Sequence, residues 1–243
     1  EKLLKHSPAN ADAFINLAFR CASTFRKTDY SGGCNGARIR FTPESEYPEN
    51  NGTDEALQAL EPVKTRFGGE LSWTDLIVLA GLTALESEND DLELKFCGGG
   101  VDADGGVQDK DLSPRNYNDP LISVLDDFLV KGLTKDEGVA LACREQVGSQ
   151  YYKNLLKDGH LFSEHERALV NDDELKSIVE QYAQDENKLL HVFARTWTKL
   201  MTADRFSDNR KNACKNVDTK TKPIGKFTFG MKSLGSYLYR FLG

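Results

Sequence analysis

"LAFRCASTFRKTDYSGGCNGARIRF", Leu17 to Phe41, joins two kinds of local order. In its first half and just ahead of it, Phe14, Leu17, Ala18, Cys21 and Phe25 recur at the three- and four-residue steps that put side chains on one face of a helix. Its second half is a glycine turn followed by the alternating arginines Arg38 and Arg40. A helix face feeding a basic, glycine-bearing loop frames a pocket. Yet the stretch holds no histidine, no Ser/His pair and no metal-ligand spacing, so the rest of the chain must decide whether the pocket keeps its chemistry.

Working outward, helix signals dominate and several carry explicit caps. Ser7 with Pro8 can open the first helix. Thr53 precedes Asp54 and Glu55, charges that favour a helix start, and Leu57, Leu60, Val63 and Phe67 follow on one face, with Pro62 expected to bend it. Ser72 to Asp75 has nearly the capping-box form before "LIVLAGLTALE", and Asp119 with Pro120 opens "LISVLDDFLVKG", which Gly132 closes. Thr134 faces Glu137 across a capping box whose helix can run to Gly148, and Ser163 with Glu166 repeats the device. Two further helices are "DELKSIVEQYAQ" and "ENKLLHVFARTWTKLM", facing inward through Leu175, Ile178, Val179 and Tyr182, then Leu189, Leu190, Phe193, Trp197 and Leu200. No long β-branched alternation appears, so the expected fold class is all-α, with at most a short hairpin in the loops. The Gly- and Asp-rich segment Asn89 to Asn118 exceeds an ordinary connection and should be functional or lie ordered across a surface.

The 243 residues are 39% hydrophobic and 28% charged, enough to bury one sizeable core. No apolar run approaches the roughly 18 residues of a membrane-spanning helix. The start at Glu1 rather than Met reads as processing or a missing leader. Five cysteines, at 21, 34, 97, 143 and 214, show neither CxxC nor zinc spacing and are read as small apolar fillers, implying no disulfide framework and no metal. From Arg205 onward nine Lys or Arg stand against two Asp, a balance of +7 that leaves −14 on residues 1–204. An acidic body argues against nucleic acid as a partner, because phosphate binding needs a basic face on the folded domain. "GGCNG" lacks a following Lys-Ser/Thr and is no phosphate loop, and "DADGGVQDKD", Asp102 to Asp111, lacks the acidic spacing of an EF-hand. His6, His160, His165 and His191 are read as surface residues.

With the helices placed, the runs "GGCNGARIRF", "ALEPVKTRFGGELSWTDLIVLAGLTALE", "KFCGGGVDAD", "GLTKDEGVALACREQVG" and "ARTWTKLMTADRF" resemble the successive helices and loops of the intracellular haem peroxidases, over about Ala11 to Phe206. The resemblance is closest to the carboxy-terminal half of catalase-peroxidases, then to ascorbate peroxidases. It implies a haem-peroxidase-like helical domain over 1–206 with long ordered loops, followed by a basic and aromatic extension, 207–243.

The resemblance also assigns positions. Where active members present R-L-A-W-H on the distal side, this chain has "NLAFR", so Asn16 stands for the arginine, Phe19 for the tryptophan and Arg20 for the histidine. Arginine does not accept a proton at ordinary pH. Where the family carries its iron-ligating histidine, "CREQVG" puts Glu145, and the aspartate that orients that histidine corresponds to Glu166. Between Gly148 and Tyr151 the chain is much shorter than the family pattern. These positions imply a protein that is no enzyme, holds no haem or other cofactor, and serves as an accessory subunit of a larger assembly. Arg20 and Glu145 are expected to face the vacated cleft and pair, the alternative being a new ligand site anchored on both. Cys21 and Cys143 share the two helices and are read as packing residues. Inactive relatives of ascorbate peroxidase at the thylakoid imply a plastid photosynthetic membrane complex as the setting. Phe227, Phe229, Leu234, Tyr237, Leu238 and Phe241 of the extension are the expected docking residues for protein partners or a membrane surface.

Overall fold

The computed structural model describes residues 9–106, 111–206 and 213–214. Among them are nine α-helices and no β-strand: α1 (Ala9–Ser23), α2 (Thr53–Phe67), α3 (Trp73–Glu88), α4 (Pro120–Lys131), α5 (Lys135–Ala142), α6 (Ser149–Asp158), α7 (Glu164–Asn171), α8 (Asp173–Gln184) and α9 (Glu186–Met201). The expected all-α class is what the structure shows. Two isolated bridges, Arg26 with Ser31 and Gly36 with Asp102, are the trace of extended pairing in the loops. No described helix is long and apolar enough to cross a membrane. The docking residues expected in the extension lie outside the described residues.

Local capping chemistry sets the helix starts. Ser72 Oγ accepts the Asp75 N–H at 3.0 Å at the head of α3, and Asp119 accepts the Leu121 N–H at 2.8 Å ahead of Pro120. Gly132, at φ 69°, closes α4. Both capping boxes, Thr134 with Glu137 and Ser163 with Glu166, form with both reciprocal bonds. Pro62 sits inside α2, whose helix continues to Phe67.

The core forms where α1 lies along α3 and where α9 packs on α5. A Cβ on Gly81 would fall 2.4 Å from Ala18 Cβ, so glycine there lets α1 and α3 approach closely. Phe193 and Trp197 of α9 are fully buried and stack with ring centroids 6.0 Å apart. Every inward residue expected on α8 and α9 is buried.

Two expectations are corrected. The cysteines are not all fillers, because Cys21 is bonded to Cys34 and Cys97 to Cys214, leaving Cys143 free and buried. Partners 13 and 117 residues apart carry no local spacing signal. The second correction is that α5 stops at Ala142 rather than running to Gly148. The chain turns instead through Arg144 N–H to Leu141 O at 3.2 Å and Gln146 N–H to Cys143 O at 2.8 Å, and Gly148 at φ 153° redirects it into α6.

The described residues of the long segment after α3 lie across the surface, held by hydrogen bonds. Gly99 and Gly100 donate their N–H groups to Asp75 at 2.8 and 2.9 Å, and Asp102 accepts from Trp73 and Thr74 at 3.0 and 3.2 Å. Arg26 holds the carbonyls of Asp111 and Ser113 at 3.2 and 3.0 Å. Asp75 also takes Arg205 Nη2 at 2.8 Å, while Asp204 accepts the Asn35 N–H at 2.5 Å. A Cβ on Gly33, at φ 93°, would lie 2.6 Å from Asp204 Cβ, so the glycine turn must be glycine to reach the end of the helical domain. The opening turn and "TADRF" thus lock together through the head of α3.

Candidate functional site

A cavity of about 450 Å³ lies between α1, α4, α5 and α7. Phe19 supplies the α1 wall, Val124 and Phe128 the α4 wall, Leu141 the α5 wall and Leu169 the α7 wall, with Tyr151 and Phe162 at one end. The Phe128 ring lies against α5 at Gly138, where a Cβ would come within 2.4 Å of it. Tyr151 and Phe162 meet edge to face at 5.5 Å.

Two cations, Lys131 and Arg144, and three acids, Asp127, Glu145 and Glu166, border this apolar space. Lys131, its side chain 6% exposed, pairs with Asp127 one helical turn back and lies 6.0 Å from the Phe19 ring centroid. Arg144 stacks over the same ring at 4.2 Å, has Glu145 at 3.5 Å, and keeps a buried Nε with no hydrogen-bond partner. Glu166 accepts from Tyr151 OH at 2.8 Å and from the Ser163 N–H at 2.9 Å. Burial works against the Glu166 carboxylate, but the Ser163 and Tyr151 hydrogen bonds prevail and hold its pKa below the ordinary glutamate range. Burial, with Glu166 alongside, pushes the Tyr151 phenol far up, so that it stays a donor. Burial also raises the Cys143 thiol to about 11, which keeps it protonated and unreactive at neutral pH.

The structure separates the positions that the sequence brings together. Of the three distal positions only Phe19 lines the cavity. Asn16 is half-buried with an unpartnered Oδ1. The expected Arg20–Glu145 ion pair is corrected, since Glu145 lies in the turn after α5, 56% exposed, and pairs with Arg144 instead. Burial first, then the Arg144 guanidinium, push the Arg20 guanidinium below its usual range, while Glu145 and Glu49 pull it back. Glu166, which the resemblance leaves with nothing to orient, caps α7 and fixes Tyr151. His165, read as surface, is exposed yet forms part of the cavity wall. Sequence reasoning missed Arg144 and Lys131. The only signal for Arg144 was its place beside Glu145 in "CREQVG", and nothing local marks Lys131 as buried.

The residues between α1 and the turn do not fit a porphyrin as they stand. The resemblance would put haem between the Phe19 and Glu145 positions, and the Arg144 guanidinium lies in that space, against the Phe19 ring. Among the described residues no cluster of three metal-ligating side chains occurs.

A family profile described as Peroxidase matches residues 1–150. Catalase-peroxidase 1 of Haloarcula marismortui is 49% identical over 74 residues, 30% of this chain and 10% of that protein. The catalase-peroxidase of Shewanella baltica strain OS195 is 39% identical over 124 residues, 46% of this chain and 17% of that protein. That of Escherichia coli is 27% identical over 274 residues, 83% of this chain and 37% of that protein. The chain thus spans well under half the length of these relatives. The matches correct the expectation that the chain is no enzyme, because relatives named catalase-peroxidases are enzymes and the family points to one. With its profile match over more than half the chain and its helical architecture, this protein belongs to the peroxidase family, within the haem peroxidase superfamily.

Proposed function

We propose that this chain works as an accessory component of a peroxidase-type enzyme, in the supporting role that the resemblance gives to the second half of catalase-peroxidases. The observation that carries the reading is the Arg144–Phe19 contact, which fills the space between α1 and the turn after α5 in a scaffold otherwise pinned by two disulfides and the Asp75–Arg205 pair. The partners are other protein subunits, with the 207–243 extension as the contact, and the setting is a plastid membrane complex. The two disulfides favour an oxidising side of that setting.

The test is isolation of the native assembly, followed by subunit identification, haem absorbance and a peroxidase assay on each component. The reading expects a stoichiometric complex whose haem-dependent peroxide turnover falls when this chain is removed. A second reading, a haem enzyme with unusual ligation, is favoured by one observation, the place of His165 on the cavity wall. Recovery of this chain alone, with bound haem and peroxide turnover of its own, would overturn the first reading in favour of the second.

A further inference from the structure

The cavity beside Phe19 has an uneven supply of partners. Its body is apolar, from Val124, Phe128, Leu141, Phe162 and Leu169. Lys131 is engaged by Asp127, and Glu166 by Ser163 and Tyr151. Arg144 differs. Its nearest carboxylate, Glu145, stands 3.5 Å away on an exposed turn, its Nε makes no hydrogen bond, and the field of Glu145 is shared with a second guanidinium, Arg20. A guanidinium offers five donors in a planar fork suited to a carboxylate. Here that fork stands over an aromatic ring at the edge of an apolar cavity whose volume falls within the roughly 300–1,000 Å³ of small-molecule sites.

We propose that this cavity binds a small amphipathic monocarboxylic acid, its apolar body between Phe128, Leu141 and Leu169 and its carboxylate on Arg144. The acid supplies the anion that Glu145 provides only loosely, and it removes apolar wall from water. This site shares the Arg144–Phe19 contact with the accessory role but is tested apart from it, since acid binding is read on the chain alone and the accessory role on the native assembly.

The experiment titrates the full chain with 2-naphthoate, decanoate and the uncharged 2-naphthalenemethanol by calorimetry, and repeats the series with Arg144→Gln and Arg144→Lys. Both acids should bind one to one and the alcohol more weakly. Arg144→Gln should weaken the acids by roughly tenfold or more, the loss expected for a charge-assisted hydrogen bond, while leaving the alcohol unchanged. Arg144→Lys should recover part of the loss. Leu169→Phe, which narrows the cavity, should weaken acids and alcohol alike if the apolar body sits there. The inference is overturned if the alcohol binds as well as the acids, if Arg144→Gln leaves acid binding intact, or if hemin binds one to one and neither acid does.

Discussion

The head of α3 and the wall beside Phe19 are both polar regions set into an apolar core, and they are built on opposite terms. At the head of α3, Asp75 gathers two backbone N–H groups and Arg205, Thr74 Oγ1 donates to Val101 O at 2.8 Å, and Cys21–Cys34 ties the glycine turn to α1. Nearly every contact there spans distant parts of the sequence, so the region holds the helices in place. Beside Phe19 the acids and cations are short-range pairs around an open volume, and Arg144 keeps an unpartnered donor. The first region spends its polar groups on architecture, whereas the second keeps some in reserve for a ligand.

The largest effect should come from the first region. Asp75→Ala removes the acceptor of Arg205, whose side chain is 6% exposed and whose Nε and Nη1 make no hydrogen bond, and it strips the Gly99 and Gly100 N–H groups of their partner. Asp204, 3.9 Å from Arg205 Nε, remains as a weaker partner, so the loss in urea unfolding should be about 3 kcal/mol, the low end for breaking a buried pair. A loss under about 0.5 kcal/mol, the level of surface substitutions, would break the comparison by showing that this network braces nothing. Next in size is the Cys97–Cys214 crosslink, which closes a span of 117 residues. Cys97→Ser with Cys214→Ser should lower stability by about 2–4 kcal/mol, read as a shift of the denaturation midpoint. Denaturation curves that coincide with the parent under non-reducing conditions would remove that bond from the bracing region.

What was legible in the sequence follows the range of each interaction. Ser72, Thr134 and Ser163 announced their helices because a cap is settled within four residues. The faces of α8 and α9 were equally plain, since periodicity alone sorts Leu175 or Trp197 from the charged residues between them. Neither disulfide was legible, nor was the end of α5. Cys34 meets Cys21 only because the glycine turn folds back, and Arg144 leaves the helical path in a structure where its partner, Phe19, lies on another helix. Phe19 does line the cavity, but the partner expected for Arg20, Glu145, is taken by Arg144.

A smaller effect sharpens the contrast from the cavity side and depends on pH. The Glu166 carboxyl is held below the ordinary glutamate value, opposed by burial and favoured by Ser163 and Tyr151. Its contribution is therefore complete above the unfolded-state pKa, near 4.5, and is lost as pH falls through the lower folded-state value. Glu166→Gln should cost about 1 kcal/mol at neutral pH, after discounting for its partial exposure, and should flatten the decline of stability in acid. Parallel pH profiles for variant and parent would mean that the Tyr151 hydrogen bond carries no linkage.

The smallest effect belongs to Glu145, where sequence and structure part most sharply. A buried pair with Arg20 would make Glu145→Gln as damaging as Asp75→Ala. The structure puts the carboxylate in a turn, 56% exposed and 3.5 Å from Arg144, where water screens it. Glu145→Gln should accordingly change stability by no more than about 0.5 kcal/mol, the range for exposed ion pairs. Its consequence should lie in binding instead. With the competing carboxylate gone, Arg144 is left with its fork free over Phe19, and 2-naphthoate should bind more tightly than to the parent while the neutral alcohol does not. A stability loss of several kcal/mol would return Glu145 to the bracing class and erase the difference between the two regions. Unchanged stability with unchanged acid affinity would instead show that Glu145 neither braces the cleft nor competes for it.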